Sequence, residues 1–267
     1  MSLPVTAEEI VSELKASRKY GHLCDQTLNR MAAWALSRYP NRKLAVKNAK
    51  SKLHQVYGAF VENLDFTHLE SVKCQLGKPM PEEDLRKLCL EVLESHTSSA
   101  ERLSFTTEFY AKLFEVTGLP NRILDLACGL NPFTLPWMNL PDGVEYEARD
   151  IDSRLLDAIQ MLFRHLKVNG EAARHDLLSN EAVYVADVIF LLKTLPCIEQ
   201  QQKGASLPLL RKFHAETIVV SFPAQSLGGK TKGMVEHYES IATSLAAGLG
   251  RTMQKLAFPG ESFYLFR

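Results

Sequence analysis

Residues 122–133 leave this chain few choices of fold. They read Arg122-Ile123-Leu124-Asp125-Leu126-Ala127-Cys128-Gly129-Leu130-Asn131-Pro132-Phe133. The apolar 123–126 segment reads as a short buried strand, and Ala127, Cys128 and Gly129 are small enough for a sharp turn that another molecule can approach closely. Asp125 stands at the carboxyl end of that strand. In open α/β sheets, ligands bind just beyond those ends. The loop alone fits an ordinary tight βα turn equally well. It is neither G-x-G-x-x-G nor a P-loop, since no G-K-[ST] follows.

Two acidic positions downstream give the loop a purpose. Residues 144–152 read as a second strand ending in Asp150-Ile151-Asp152. An acid about 20 residues beyond a glycine turn is placed to accept hydrogen bonds from ribose hydroxyls. His175-Asp176-Leu177 then follows a third strand, where a carboxylate and an apolar backbone can meet an adenine. The mix of one glycine, small residues and acids suits S-adenosylmethionine better than a dinucleotide. There is no pyrophosphate to cradle, and the amino-acid end carries an ammonium that Asp125 can approach. Asp125, Ala127, Gly129, Asp150, Ile151, Asp176 and Leu177 are the cofactor-binding candidates.

Three motifs in order make the reading specific: the Leu-Asp-Leu-Ala-Cys-Gly-Leu-Asn-Pro run, Phe190-Leu191-Leu192-Lys193-Thr194-Leu195-Pro196, and Ser221-Phe222-Pro223 followed by Ser226-Leu227-Gly228-Gly229. Together they resemble the aminoglycoside-resistance 16S ribosomal RNA guanine-N7 methyltransferases of the Arm/Rmt/Kgm type, over most of the chain. The resemblance implies methylation of guanine 1405 in the assembled 30S subunit. In that family an arginine in an E-R-L context like Glu101-Arg102-Leu103 reaches the cofactor's carboxylate, so Arg102 joins the cofactor set. A guanidinium suits that task because it binds a carboxylate through two parallel hydrogen bonds.

The rest of the chain alternates strands and helices. Asp152-Ser153 caps a helix over 154–168 with an apolar face at helical spacing, closed by Asn169-Gly170. Strands follow at 171–176, 183–192 and 216–222, Pro196 starts a helix, another helix spans 234–249, and 251–257 with 262–266 form a terminal hairpin. This is the pattern of an α/β, Rossmann-like class I S-adenosylmethionine-dependent methyltransferase with a mostly parallel seven-stranded sheet. An all-helical extension precedes it. The division is 1–95, a helical rRNA-docking domain, and 96–267, the methyltransferase domain.

The formal net charge is zero, so only the distribution of charge is informative. From Gln26 to Val61 there is no acid, while Arg30, Arg38, Arg42, Lys43, Lys47, Lys50 and Lys52 are basic. Lys43, Lys47 and Lys50 share one helix face by their spacing. A solvated face is the plain reading; the missing acids favour a phosphate-binding surface that positions RNA without reading bases. Arg38, Arg42, Lys43, Lys47 and Lys50, with Lys230 and Lys232 of the late glycine-rich loop, are the RNA-binding candidates.

Lys193 ends the fourth strand on the same rim as Asp125 and Asp150, read either as a strand-end charge reaching for water or as a cation near the target. Methylation of N7 needs no general base, because that nitrogen offers an in-plane lone pair and holds no proton. The catalytic candidates are therefore orienters: Lys193, Ser221, and Phe222 as an aromatic face for a displaced base. The resembled loop reads Ser-Phe-Pro-Thr-Arg-Ser-Leu-Gly-Gly-Arg. This chain has Ala224, Gln225 and Lys230 instead, so one charge is lost and one planar fork becomes a point charge.

Five scattered cysteines without a C-x-x-C pair argue against a disulfide framework or zinc site and fit a reducing cytosol. No metal is expected, no run is long enough to span a bilayer, and residues 1–20 do not form a signal peptide. The expected partner is 16S rRNA in the 30S subunit, met by a cytoplasmic monomer. Two rivals stand beside this reading: a small-molecule methyltransferase, for which the lysine face is idle, and a silent rRNA-binding homologue, favoured by the departures at Ala224, Gln225 and Lys230.

Overall fold

The structure, a computed structural model, describes residues 5–179, 182–224 and 233–267. Lys230, Lys232 and Gln225 lie outside the described residues.

The helical part comes first: α1 (Ala7–Lys15), α2 (Asp25–Leu36), α3 (Arg42–Leu53), α4 (Phe66–Leu76), α5 (Glu82–Ser95) and the single turn α6 (Thr97–Ala100). Thr6 and Glu9 form a capping box at α1, and the Asn41 side chain caps α3 after the Tyr39-Pro40 break. A π-helical turn, His54–Gly58, continues α3 and was not foreseen from the sequence. The sheet part then runs α7 (Thr106–Thr117), β1 (Arg122–Leu126), β2 (Glu145–Asp150), α8 (Ser153–Leu166), β3 (Asn169–Arg174), β4 (Tyr184–Leu192), α9 (Leu195–Gln201), α10 (Ser206–Leu210), β5 (Phe213–Pro223), α11 (Met234–Leu249), β6 (Met253–Phe258) and β7 (Glu261–Phe266).

The sheet has the order β3-β2-β1-β4-β5-β7-β6. β1 to β5 are parallel, and β7 runs antiparallel between β5 and β6. This is the class I methyltransferase fold. β4 reads as a continuous apolar run because both its faces are covered, with Val188 to Leu192 buried without alternation.

Asn169-Gly170 does not close α8. The helix ends at Leu166, with Lys167 in the left-handed region (φ 55°) as its cap, and Asn169 and Gly170 open β3. Gly170 serves packing instead: a Cβ there would lie 2.6 Å from the Phe163 ring, so only glycine lets strand and helix meet.

One apolar core joins the N-terminal helices, from Ile10 to Leu93, to α8 and one face of the sheet. α9, α10 and α11 cover the other face over a second core. The helical segment is thus a layer laid against the sheet. The backbone repeats the join: Cys24 N–H donates to the Ile151 carbonyl (2.8 Å), and Ser153 N–H to that of His22 (3.2 Å). Among the described residues, no helix is long and apolar enough to cross a membrane.

Candidate active site

The site opens at the carboxyl ends of β1, β2 and β4. Beyond β1 the backbone folds back through Ala127 (φ 51°) and Gly129 (φ 53°), both in the left-handed region. For alanine this conformation is costly and is kept where ligands are gripped. At Gly129 a Cβ would lie 2.9 Å from the His96 ring, so glycine is required by both dihedral and space.

Asp150 holds this loop. Its Oδ2 accepts from Gly129 N–H (2.8 Å), and its Oδ1 from the N–H groups of Ile151 (2.7 Å) and Asp152 (3.2 Å). Burial raises its pKa above the usual carboxylate range, against the pull of those backbone donors. Asp152 accepts from the Tyr57 hydroxyl, and burial next to this acid raises the Tyr57 pKa. The π turn thus pins α3 to the β2–α8 corner.

Arg102, Ala127, Gly129, Asp150, Ile151, Asp176, Leu177 and Lys193 all line one cavity. Asp125 does not: it sits behind the wall at 1% exposure, its Oδ2 accepting from Asn131 Nδ2 (2.9 Å) and Tyr146 Oη (2.8 Å). Its Oδ1 has no partner among the described residues, and burial pushes its pKa up to about 6. Asp125, the candidate that the cofactor ammonium can approach, here orients Asn131, which does line the cavity.

Below the loop lies a buried charge network. Arg102 donates to Glu261 through Nη2 (2.8 Å) and Nε (3.3 Å), and to Asn131 Oδ1 through Nη1 (2.8 Å). Lys193, itself at φ 54°, pairs with Glu101 and lies 3.3 Å from Glu261. Its side chain is only 6% exposed, so it does not reach for water. Ser221 donates to Glu261 Oε1 (2.5 Å) and accepts from Lys193 N–H (2.9 Å). Burial raises the Glu261 pKa, but Arg102 and Lys193 outweigh it and hold the group below the usual range.

Ser221 and Phe222 do not line the cavity. Ser221 is fully buried beneath the cavity as a strut of this network. Phe222 is 2% exposed and stacks on Tyr238, with ring centroids 4.7 Å apart, inside the second core. Residues of β5 alternate sides, so the ring that follows an inward Ser221 turns to the α11 face.

On the outer face, Lys43 and Lys47 of α3 are exposed and Lys50 is half-buried, none with a carboxylate partner among the described residues. Arg42 is different: Glu13 (2.8 Å) and Glu9 (3.8 Å) of α1 compensate it, which the local sequence conceals. Arg38 stacks over Trp34 at 5.0 Å. Among the described residues no cluster could hold a metal.

Thr27 and Tyr57, which the sequence did not single out, and Arg30, which it marked only as basic, line the cavity from the helical layer, and Glu261, equally unmarked, lies beneath it. His96 also lines it and is kept neutral: burial and the nearby Arg102 lower its pKa to about 4.

With this geometry in view, the comparisons are decisive. A family model described as "Ribosomal RNA methyltransferase (FmrO)" matches residues 16–265. The chain belongs to this family. The ribosomal RNA methyltransferase is 33% identical over 264 residues to a 16S rRNA (guanine(1405)-N(7))-methyltransferase of Micromonospora echinospora, covering 97% of this chain and 96% of that one. A protein of the same description from Proteus mirabilis is 30% identical, covering 97% and 96%. Among solved structures, the 16S rRNA methyltransferase RmtF in complex with S-adenosyl-L-homocysteine superposes with a TM-score of 0.84 at 28% identity, covering 100% of this chain and 99% of that one. The 16S rRNA methylase RmtB gives 0.78 at 27% identity, covering 99% of each.

The methyltransferase's own atoms fit the cofactor of this fold. The loop at Gly129 presents bare backbone to the cavity, Asp150 and Asp176 stand at successive strand ends, and Arg102 spends three of its N–H donors on protein, leaving two.

Proposed function

We propose that this chain methylates N7 of guanine 1405 of 16S rRNA in the assembled 30S subunit, as a cytoplasmic monomer using S-adenosylmethionine. The observation that carries the reading is the joining of a nucleoside-type cavity to family membership along nearly the whole chain. The relatives named for guanine 1405 align along that same length.

S-adenosylmethionine supplies an electrophilic methyl group on a sulfonium. The protein's work is to bind, orient and exclude water. Asp150 is placed for the ribose hydroxyls, Asp176 and Leu177 for the adenine, and Arg102 for the carboxylate end. Lys193 anchors the rim nearest the target. No base is needed, and a guanine methylated at N7 becomes cationic. The network at this end holds Arg102 and Lys193 against Glu101 and Glu261, so no excess positive charge opposes that change.

Residues 1–95 are the rRNA-docking domain, with Lys43, Lys47 and Lys50 on phosphates. That lysine face, without a carboxylate partner among the described residues, favours RNA over a free small molecule as substrate. A methyl group and positive charge on N7 repel cationic aminoglycosides, which gives resistance.

The test is tritium transfer from labelled S-adenosylmethionine to purified unmodified 30S subunits, with the methylated base located by borohydride–aniline cleavage. One N7-methylguanine at 1405 is expected. Label elsewhere moves the target, and no label with cofactor still bound overturns the activity.

A further inference from the structure

Two side chains of α2 cross the molecule to a single carboxylate oxygen. Thr27 Oγ1 donates to Asp176 Oδ2 at 2.6 Å, and Arg30 Nη2 donates to the same atom at 2.7 Å. Asp176 is 4% exposed and Thr27 1%. All three line the cavity. The other oxygen, Oδ1, receives one N–H among the described residues, from Leu178 at 2.8 Å. Next to this contact the backbone of residues 22–24 is hydrogen-bonded to that of Ile151 and Ser153.

We propose that Thr27 and Arg30 are positioning residues for the cofactor: they fix Asp176 at the adenine end of the cavity, making the helical layer part of the cofactor site as well as an RNA platform. The proposal rests on the methyltransferase reading above. A buried carboxylate keeps its charge only when paired, and one held at a single oxygen by two donors cannot rotate freely. With Oδ2 occupied and Oδ1 only half used, the acceptor left over is Oδ1, and the donor it suits is the exocyclic amino group of adenine. Asp176 follows β3 of the sheet, but its orientation is set from α2.

The test is calorimetric titration of the full chain with S-adenosylhomocysteine and with S-inosylhomocysteine, which has a carbonyl oxygen in place of the amino group. Wild type should prefer the adenine compound by about tenfold or more, because the inosine compound leaves a buried acceptor facing an acceptor. Thr27→Val, which keeps the shape and removes the donor, should weaken S-adenosylhomocysteine by roughly fivefold or more and shrink that preference. Arg30→Met should do both more strongly, and Arg30→Lys should recover part of the loss. A merely structural role predicts altered melting with the preference intact. Unchanged affinity and unchanged preference in folded Thr27→Val and Arg30→Met proteins overturn the proposal. If Arg30→Met does not fold, the isosteric Thr27→Val decides alone. Wild type that binds neither compound defeats the cofactor reading itself, a result distinct from wild type that binds and variants that match it.

Discussion

Glu261→Gln puts the buried network to its hardest test. Glu261 is fully buried, accepts from Arg102 and Ser221, and lies 3.3 Å from Lys193. Glutamine keeps the volume but removes the charge, and it places an amide donor among groups that are all donors. Lys193 retains Glu101, whose side chain is 49% exposed. Arg102 retains the neutral Asn131, the Phe263 ring and, behind Asn131, the Asp125 carboxylate. The loss therefore falls on Arg102, a buried cation deprived of its directly bonded counter-charge, at a cost of about 3–5 kcal/mol. In a chain of this size that lowers the melting temperature by about 10 °C. Urea unfolding measures it directly. Arg102→Met in the Glu261→Gln background should cost less than the two single changes summed, because the stranded charge has gone. The pH dependence carries the same sign. A glutamate held below its ordinary pKa contributes stability that is complete above that ordinary value and is lost as pH falls through the folded value. The gap between wild type and variant should therefore close on acidification. A destabilisation under about 1 kcal/mol, or strict additivity with Arg102→Met, refutes the network as described.

His96, with a pKa lowered to about 4, binds its proton more readily in the unfolded chain, so it costs stability as pH falls from about 6.5 toward 4. His96→Asn should gain on wild type over that window by up to about 3 kcal/mol, read from urea midpoints at successive pH values. Gly129→Ala forces an alanine to φ 53° and a methyl against the His96 ring, and calorimetry should show S-adenosylhomocysteine affinity falling at least about tenfold. Changing Lys43, Lys47 and Lys50 together to glutamine should lower the salt slope of 30S binding by about 2–3, with cofactor affinity unchanged. Arg42→Gln, already paired to Glu13, should move that slope less.

What the sequence yielded follows from the range of its signals. β1, β4 and α8 each announce themselves within a few residues, through an apolar run or a helical stripe with a capping acid. The acids at Asp150 and Asp176 were legible because strand ends and glycine turns fix where they fall. Glu261 was not, since nothing within its own hairpin says that an arginine 159 positions earlier will need it. The same holds for Thr27 and Asp176, and for the acids of α1 that compensate Arg42. Asn169-Gly170 misled because its composition is that of a helix stop, while the demand on Gly170 comes from the Phe163 ring. Phe222 misled because a motif names a residue but not the side of the strand it faces.

The bonds that make the cavity join distant parts of the chain: Arg102 to Glu261 across 159 positions and Thr27 to Asp176 across 149. Closing such long loops demands entropy before any contact repays it, so these ties form after the local helices and neighbouring strands. A ligand that binds only the finished cavity then holds the last ties shut, so the lifetime of the folded enzyme rises with the concentration of its own cofactor.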